Sequence, residues 1–103
     1  MKKIQIGYDK IAQTPIYQEL TYDFFAHHLG WEWTFYYRGN IIDVSVIKSE
    51  RDYFSDAVYC LSINGYEGNA THQYYSSEQE FLTNAKICGK AFREIWNELE
   101  FKG

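Results

Sequence analysis

The chain has 103 residues, a formal net charge of −4 and an aromatic content of 19%. A chain of this length buries about two-thirds of its extended-chain surface, so we expect one core and a single globular α+β domain over residues 1–103. The acidic balance argues against a general binder of nucleic-acid phosphates, because the field of the protein repels polyanions. The aromatic surface exceeds what a small core holds, so some Tyr and Trp rings should be exposed and available for binding.

The apolar pattern near residue 5 and the spacing of the two cysteines predict the cellular compartment. Gln5, Gly7 and Asp9 interrupt the apolar stretch that a signal peptide needs, and no apolar run approaches membrane-spanning length. Cys60 and Cys88 do not resemble a secreted disulfide framework. We therefore expect a cytoplasmic protein with free thiols that does not act at membranes.

A strand and a helix are predicted first along the chain. Residues 3–8 alternate apolar and polar side chains, which suits a half-buried strand or a loosely attached arm. Thr14 followed by Pro15 favours a helix start, and Gly30 favours a helix end. The pattern predicts a helix over residues 15–29 that is apolar around more than half of its circumference.

A helix with so much apolar surface either lies enclosed within the domain or offers a second face to a partner. Tyr22 and Phe25 point to that second flank, which makes both residues candidate partner-binding residues. A second copy of the chain could use the same flank. We therefore expect self-association, as a homodimer.

Residues 31–48 predict a β-hairpin with Gly39 and Asn40 as a two-residue turn. That turn would place Tyr37 opposite Ile42 and make one face wholly apolar. The side chains expected on this core face are Trp33, Phe35, Tyr37, Ile42, Val44 and Val46.

The opposite face of this hairpin holds the candidate partner-binding residues Tyr36, Arg38 and Asp43. Tyr and Arg are common in the energetically dominant parts of protein interfaces. A solvated sheet surface with an ion pair between Arg38 and Asp43 is the alternative interpretation.

Residues 49–56 form a charged connector that carries Tyr53 and Phe54. The two rings would anchor the connector to the core or act as a binding tip, so both are candidate partner-binding residues. Residues 57–63 predict a third strand, and residues 71–75 predict an edge strand that returns after the turn signal Asn64-Gly65.

A long C-terminal helix is predicted after a capping box formed by Ser77 and Glu80. Gly89 would lie in the middle of this helix, where it lowers helix propensity. Apolar side chains recur at three- and four-residue spacing over Phe81, Ala85, Cys88, Phe92, Ile95 and Leu99.

These elements predict a two-layer α+β sandwich, in which two helices cover one face of an antiparallel meander of three to five strands. The order helix, three strands, helix is similar to the topology of the double-stranded-RNA-binding domain. That family has a basic cluster where its last helix begins, and this chain has none there. The residues at that position are Ser77, Glu78, Gln79 and Glu80.

No catalytic, metal or phosphate-binding motif stands out in the sequence, so we expect no cofactor. His27 and His28 are adjacent, so their side chains diverge and do not suit one metal ion. Asp23 lies four residues before His27 and could orient its ring toward Cys60 or Cys88, which would make a thiol enzyme. A helix end with a favourably placed His is the simpler interpretation.

We expect a protein-interaction domain without catalytic activity, plausible for an inhibitor or adaptor of a phage or mobile element that acts on a nucleic-acid-handling protein. One alternative is a nucleic-acid-binding module that stacks bases on exposed aromatic side chains of the sheet. A thiol enzyme is the second alternative. Net charge disfavours the first alternative, and the missing motif context disfavours the second.

Overall fold

The computed structural model describes residues 2–47, 57–65 and 71–102. Within these ranges the chain is mostly antiparallel β-structure. The strands are β1 Lys3–Asp9, β2 Thr14–Glu19, β3 Trp33–Tyr37, β4 Asn40–Ile47, β5 Val58–Ile63, β6 Thr71–Tyr75, β7 Lys86–Ile87, β8 Lys90–Ala91 and β9 Glu100–Phe101. The helices are α1 Tyr22–His27, α2 Glu78–Asn84 and α3 Phe92–Ile95, and a 3₁₀ turn covers Trp96–Glu98.

The main sheet has five strands in the order β6-β5-β4-β3-β9, and every neighbouring pair is antiparallel. One face of this sheet carries the hydrophobic core. Phe25 of α1 packs edge-on to Phe35 of β3, with ring centroids 5.5 Å apart. Phe92 of α3 stacks on Phe25 at 5.3 Å and contacts Phe81 of α2 at 5.7 Å. All three helices therefore pack on the same core.

The hairpin predicted at residues 31–48 is present as β3 and β4, but its predicted register is wrong by two residues. The turn residues are Arg38 and Gly39, so Tyr37 lies opposite Asn40 and not opposite Ile42. Both turn residues have positive φ, 44° and 84°, as a type I′ turn requires. A shift of two residues keeps each side chain on its predicted face. The predicted core side chains are buried, or half-buried in the case of Val46: Trp33, Phe35, Tyr37, Ile42, Val44 and Val46.

The prediction of a helix over residues 15–29 is wrong. Strand β2 occupies its first part and pairs with β1, which confirms the strand predicted over residues 3–8. The helix start is Thr21, whose Oγ1 accepts a hydrogen bond from the Phe24 N–H at 3.1 Å. Ile and Tyr favour strands, and pairing with β1 outweighs the start signal of the preceding Thr-Pro sequence.

The prediction of a long C-terminal helix is also wrong, although the predicted start of that helix is confirmed. Ser77 Oγ accepts a hydrogen bond from the Glu80 N–H at 3.1 Å, and α2 ends at Asn84. Strands β7 and β8 follow, joined by Cys88 and Gly89 with φ of 52° and 79°. Glycine adopts positive φ at no steric cost, so Gly89 suits the tight turn that joins β7 to β8.

Most of the apolar side chains that predicted the C-terminal helix are buried in the core, although short helices and strands carry them in place of one long helix. Cys88 is the exception, because it lies exposed in the turn. The spacing that predicted a helical stripe therefore identified core residues but not the element that carries them. The buried members are Phe81, Ala85, Phe92, Ile95 and Leu99.

The predicted two-layer α+β sandwich is therefore wrong, because the described residues form mainly antiparallel sheet with only short helices. The topological likeness to the double-stranded-RNA-binding domain depended on the long last helix and does not hold. Two strand predictions are confirmed, since β5 matches residues 57–63 closely and β6 spans residues 71–75 at one end of the sheet.

Candidate functional site

Strands β1 and β2, with the turn that joins them, form a two-stranded hairpin separate from the main sheet. We call residues 3–19 the hairpin arm. Its base is fixed to the body by Ile4, which packs on the core, and by a hydrogen bond from the Leu20 N–H to the Lys2 carbonyl at 2.8 Å. All six residues of β2 are exposed. A two-stranded hairpin has little core of its own, so the arm depends on its base for order.

The hairpin arm carries half of the large hydrophobic side chains that are exposed among the described residues. Ile11 at the tip is 97% exposed, far more than any other. Isolated exposed apolar residues are normal, but a cluster of them on one small element marks an interaction site. The five side chains are Ile6, Tyr8, Ile11, Ile16 and Tyr17.

Apolar groups lie on both faces of the arm. Tyr8 pairs with Pro15, and Tyr17 follows on the same face because strand residues two apart point the same way. Ile16 lies opposite Gly7 and therefore on the other face. A partner that covers only one face would leave apolar surface exposed. The arm therefore fits a cleft better than a flat surface.

The tip of the arm has a backbone that is fixed by its own side chains. Asp9 Oδ1 accepts hydrogen bonds from the N–H groups of Ile11 at 3.0 Å and Ala12 at 3.1 Å. Gln13 completes the turn with a φ of 55°. An aliphatic side chain is thus held outward before any partner binds, which lowers the ordering cost of binding.

A groove of about 440 Å³ lies between the hairpin arm and the end of the main sheet. Tyr17 of β2 and Trp31 both line it and are about half exposed, at 56% and 50%. Trp33 and Phe101 add further ring surface. The polar side chains around the groove are Lys3, Gln5, Glu32 and Lys102.

Neighbouring rings hold Trp31 in place. Its centroid lies 4.5 Å from that of His28, 5.6 Å from Phe24 and 6.1 Å from Trp33, whose ring is nearly parallel. His28 Nδ1 is in turn 2.7 Å from the Phe24 carbonyl oxygen. The exposed side of Trp31 is thus a rigid aromatic platform at the edge of the groove that Tyr17 of the arm also lines.

The charges near the base of the arm are partly engaged. Lys102 Nζ is 3.6 Å from Glu100 Oε2 and 5.7 Å from the Tyr36 ring. Lys2 Nζ lies 4.9 Å from the Trp96 ring, and partial burial lowers the pKa of this amine. The base of the arm therefore carries modest positive charge within an acidic protein, which does not amount to a polyanion-binding surface.

Tyr36 and Asp43 lie on the face of the main sheet away from the core, and Arg38 lies in the turn between β3 and β4. Tyr36 is 38% exposed on the sheet face away from the core. Arg38 pairs with Glu98 at 2.9 Å, and this hydrogen bond raises the pKa of its guanidinium. Asp43 accepts a hydrogen bond from Thr34 Oγ1 at 2.8 Å. The expected ion pair between Arg38 and Asp43 is replaced by these two contacts.

The remaining candidate residues are placed differently. Phe25 is completely buried in the core, so it offers no exposed flank to a partner. Tyr22 is half-buried against Phe25 and Trp96, and burial raises the pKa of its hydroxyl. Tyr53 and Phe54 lie outside the described residues.

His27 and Asp23 do not form the pair that the alternative thiol enzyme requires. His27 Nδ1 lies 2.7 Å from the Asp23 backbone carbonyl, so the carboxylate does not orient its ring. Cys60 is buried, and its sulfur is 3.5 Å from Ser62 Oγ, which lies 2.9 Å from His72 Nδ1. Among the residues the structure describes, no three His, Cys, Asp or Glu side chains are grouped as a metal site requires.

The sequence carries a correct signal for the first strand of the arm but an incorrect one for the second. Residues 3–8 alternate like a strand, and a strand needs a neighbour to pair with its backbone groups. The following Thr-Pro sequence predicts a helix, whereas the segment that contains it is the strand β2 that pairs with β1. Consequently Tyr8, Ile11, Ile16 and Tyr17 were not recognised as site residues.

Comparisons of the chain with protein-family models, curated proteins and solved structures found no match. None of the helices in the described ranges is long and apolar enough to cross a membrane.

Proposed function

We propose that this protein binds another protein through the hairpin arm and the adjoining Trp31 platform, and that binding is its activity. The observation that carries the proposal is the concentration of exposed apolar side chains on an element that has almost no core of its own. Keeping such surface exposed to water is unfavourable unless a partner covers it. The free thiols of Cys60 and Cys88 are typical of a reducing compartment and support a cytoplasmic location as part of this proposal.

The rigid parts of the surface are the expected anchors. Full burial of one Ile side chain stabilises a complex by about 1.5–3 kcal/mol, and aromatic side chains contribute at least as much. Ile11 is held by the Asp9 turn, and Trp31 is held by its neighbouring rings. The backbone at Ile11 and the ring of Trp31 are therefore ordered before binding. We therefore expect Ile11 and Trp31 to dominate the binding free energy.

A nucleic-acid partner is the competing proposal, because an exposed Trp ring can stack on an unpaired base. Net charge opposes it, and the nearby Lys102 is already paired with Glu100. Titration with salt separates the two. Binding of mixed single-stranded nucleic acid that falls steeply with salt would favour the competing proposal.

Capture experiments with matched variants test the proposed function. The immobilised chain is exposed to a lysate of its source organism, and the recovered proteins are quantified. One variant carries Ile11→Ser and Tyr17→Ser on the arm, and the control carries Ile41→Ser and Tyr36→Ser on the main sheet. Both pairs remove the same residue types from exposed positions.

We expect the arm variant to lose at least about tenfold of the specifically captured protein, because it removes the anchor Ile11 and the neighbouring Tyr17, and such side chains contribute roughly 1–2 kcal/mol each. The control should retain it. Equal melting temperatures of both variants would show that the difference is not caused by unfolding. Loss with the control and retention with the arm variant would refute the proposal.

A further inference from the structure

Strand β6 lies at the other end of the main sheet. Among the described residues β6 pairs only with β5, through a five-residue register without a bulge. An edge strand has unpaired N–H and C=O groups along one side, which can pair with a further strand. Thr71, His72 and Tyr74 are exposed, and Tyr74 is 60% exposed.

Within its described residues, strand β6 has neither the charged or proline residues nor the bulge that often protect an edge strand. It contains no Lys, Arg, Asp, Glu or Pro, and its five residues are paired regularly. The other edges do have such devices. Strand β9 is two residues long and includes Glu100, β2 contains Pro15 and Glu19, and the register of β1 is interrupted by a bulge. The contrast singles out β6 as the edge that accepts a strand.

The sequence of β6 is compatible with itself in an antiparallel pair. Gln73 is its central residue, so a two-fold axis at Gln73 would pair all five residues of one strand with those of another. His72 would then lie opposite Tyr74 of the second copy, on the face away from the core. Aromatic cross-strand pairs are favourable, and no like charges meet.

We propose that two copies of the chain associate through antiparallel pairing of β6 with its counterpart, about a two-fold axis at Gln73. The pairing joins two five-stranded sheets into one continuous sheet and satisfies both open edges. It is independent of the proposed function of the hairpin arm, which lies beside β3 and β9 at the far end of each sheet. The dimer would therefore present two arms and bind a repetitive or dimeric partner bivalently.

Disulfide trapping tests the axis directly, in a Cys88→Ser background that removes the exposed thiol. Opposed residues of an antiparallel pair have Cα atoms about 4.5–5.5 Å apart, within disulfide range. Gln73→Cys should therefore form covalent dimers on mild oxidation. Thr71→Cys would lie about 14 Å from its own counterpart, since it is opposed to residue 75, and should not. Cross-linking of both variants alike, or of neither, would refute the register.

Sedimentation provides the second measurement, using the whole chain over about a hundredfold range of concentration. The unmodified chain should show concentration-dependent dimers. His72→Glu with Tyr74→Glu places two Glu pairs face to face and should give monomers, whereas His72→Lys with Tyr74→Glu makes those pairs attractive and should restore dimers. A monomer at every concentration for the unmodified chain would overturn the proposal, as would dimers that both double variants retain alike.

Discussion

Asp9 fixes Ile11 at the tip of the hairpin arm, because its Oδ1 accepts the Ile11 N–H at 3.0 Å. The same oxygen accepts the Ala12 N–H at 3.1 Å, so a single carboxylate satisfies two donors of the turn. The result is an aliphatic side chain that is 97% exposed on an ordered backbone. Exposure and order at the same residue are what a preformed binding anchor requires.

Removal of the Asp9 carboxylate should loosen the tip and leave the body of the protein intact. In Asp9→Ala we expect the amide hydrogens of Ile11 and Ala12 to exchange at least several-fold faster, because both lose their acceptor. Asp9→Asn keeps an acceptor oxygen and serves as the matched control. The measurement is amide exchange by NMR. Unchanged exchange at both residues in Asp9→Ala would show that the carboxylate does not order the tip.

Gly89→Ala distinguishes the observed hairpin turn from a continuous C-terminal helix by the sign of its effect. At a φ of 79° an Ala side chain is unfavourable by about 1–2 kcal/mol, so stability should fall. In a helix the same change would raise stability by about 1 kcal/mol. Chemical denaturation measures the difference. Gly30→Ala is the control, since an added Cβ meets nothing within 4 Å and should not destabilise the protein.

Trp33→Ala should cost about 3–5 kcal/mol, as expected for a large buried ring. Trp33 is 2% exposed, its indole N–H donates to the His28 carbonyl at 2.8 Å, and its ring lies 5.5 Å from that of Phe25. Tyr36→Ala, on the opposite face of the same strand, should cost less than about 1 kcal/mol. Urea denaturation compares the two. Similar losses for both variants would contradict the assignment of faces in β3.

The start of α2 should depend on pH through Glu80. Its carboxylate accepts hydrogen bonds from the Ser76 hydroxyl and from the Ser76 N–H, and these bonds lower its pKa. A pKa that is lower in the folded state contributes stability above the unfolded value, near 4.5, and this contribution is lost as pH falls through the folded value.

We therefore expect Glu80→Gln to be less stable than the unmodified protein at pH 7, and the difference to shrink at pH 3. Denaturation at both pH values measures it. Ser77→Ala removes the cap that accepts the Glu80 N–H and should cost about 1 kcal/mol at either pH, because the hydroxyl does not titrate in this range. A Glu80→Gln deficit that is the same at both pH values would contradict the role of the charge.

Local patterns predicted which residues enter the core better than they predicted the elements. Trp33, Phe35 and Val44 are buried as expected, because alternation along a strand survives a two-residue error in register. The error itself came from the turn, where Arg38 adopts positive φ ahead of Gly39. Pattern alone does not distinguish Arg-Gly from Gly-Asn as the turn pair when both keep the same faces.

The predictions of the two long helices are wrong for a different reason. The Thr14-Pro15 start signal and the apolar spacing after Phe81 are short-range features, whereas β2 and β7 exist through pairing with segments that precede or follow them. Such pairing competes with intrinsic propensity and often decides the outcome. The candidate site could not be predicted for the same reason. Ile16 and Tyr17 are exposed because they lie on strand β2, and a helix would give both residues different neighbours.

The most direct test of the hairpin arm as the binding element is a hydroxyl-radical footprint of the complex captured from lysate, compared with the free chain at the same concentration. Tyr8, Tyr17 and Trp31 are about half exposed in the free chain and should become protected on binding. Tyr36 and Tyr74, on the main sheet, should react as before. Protection of these two side chains without protection of the arm would contradict the account.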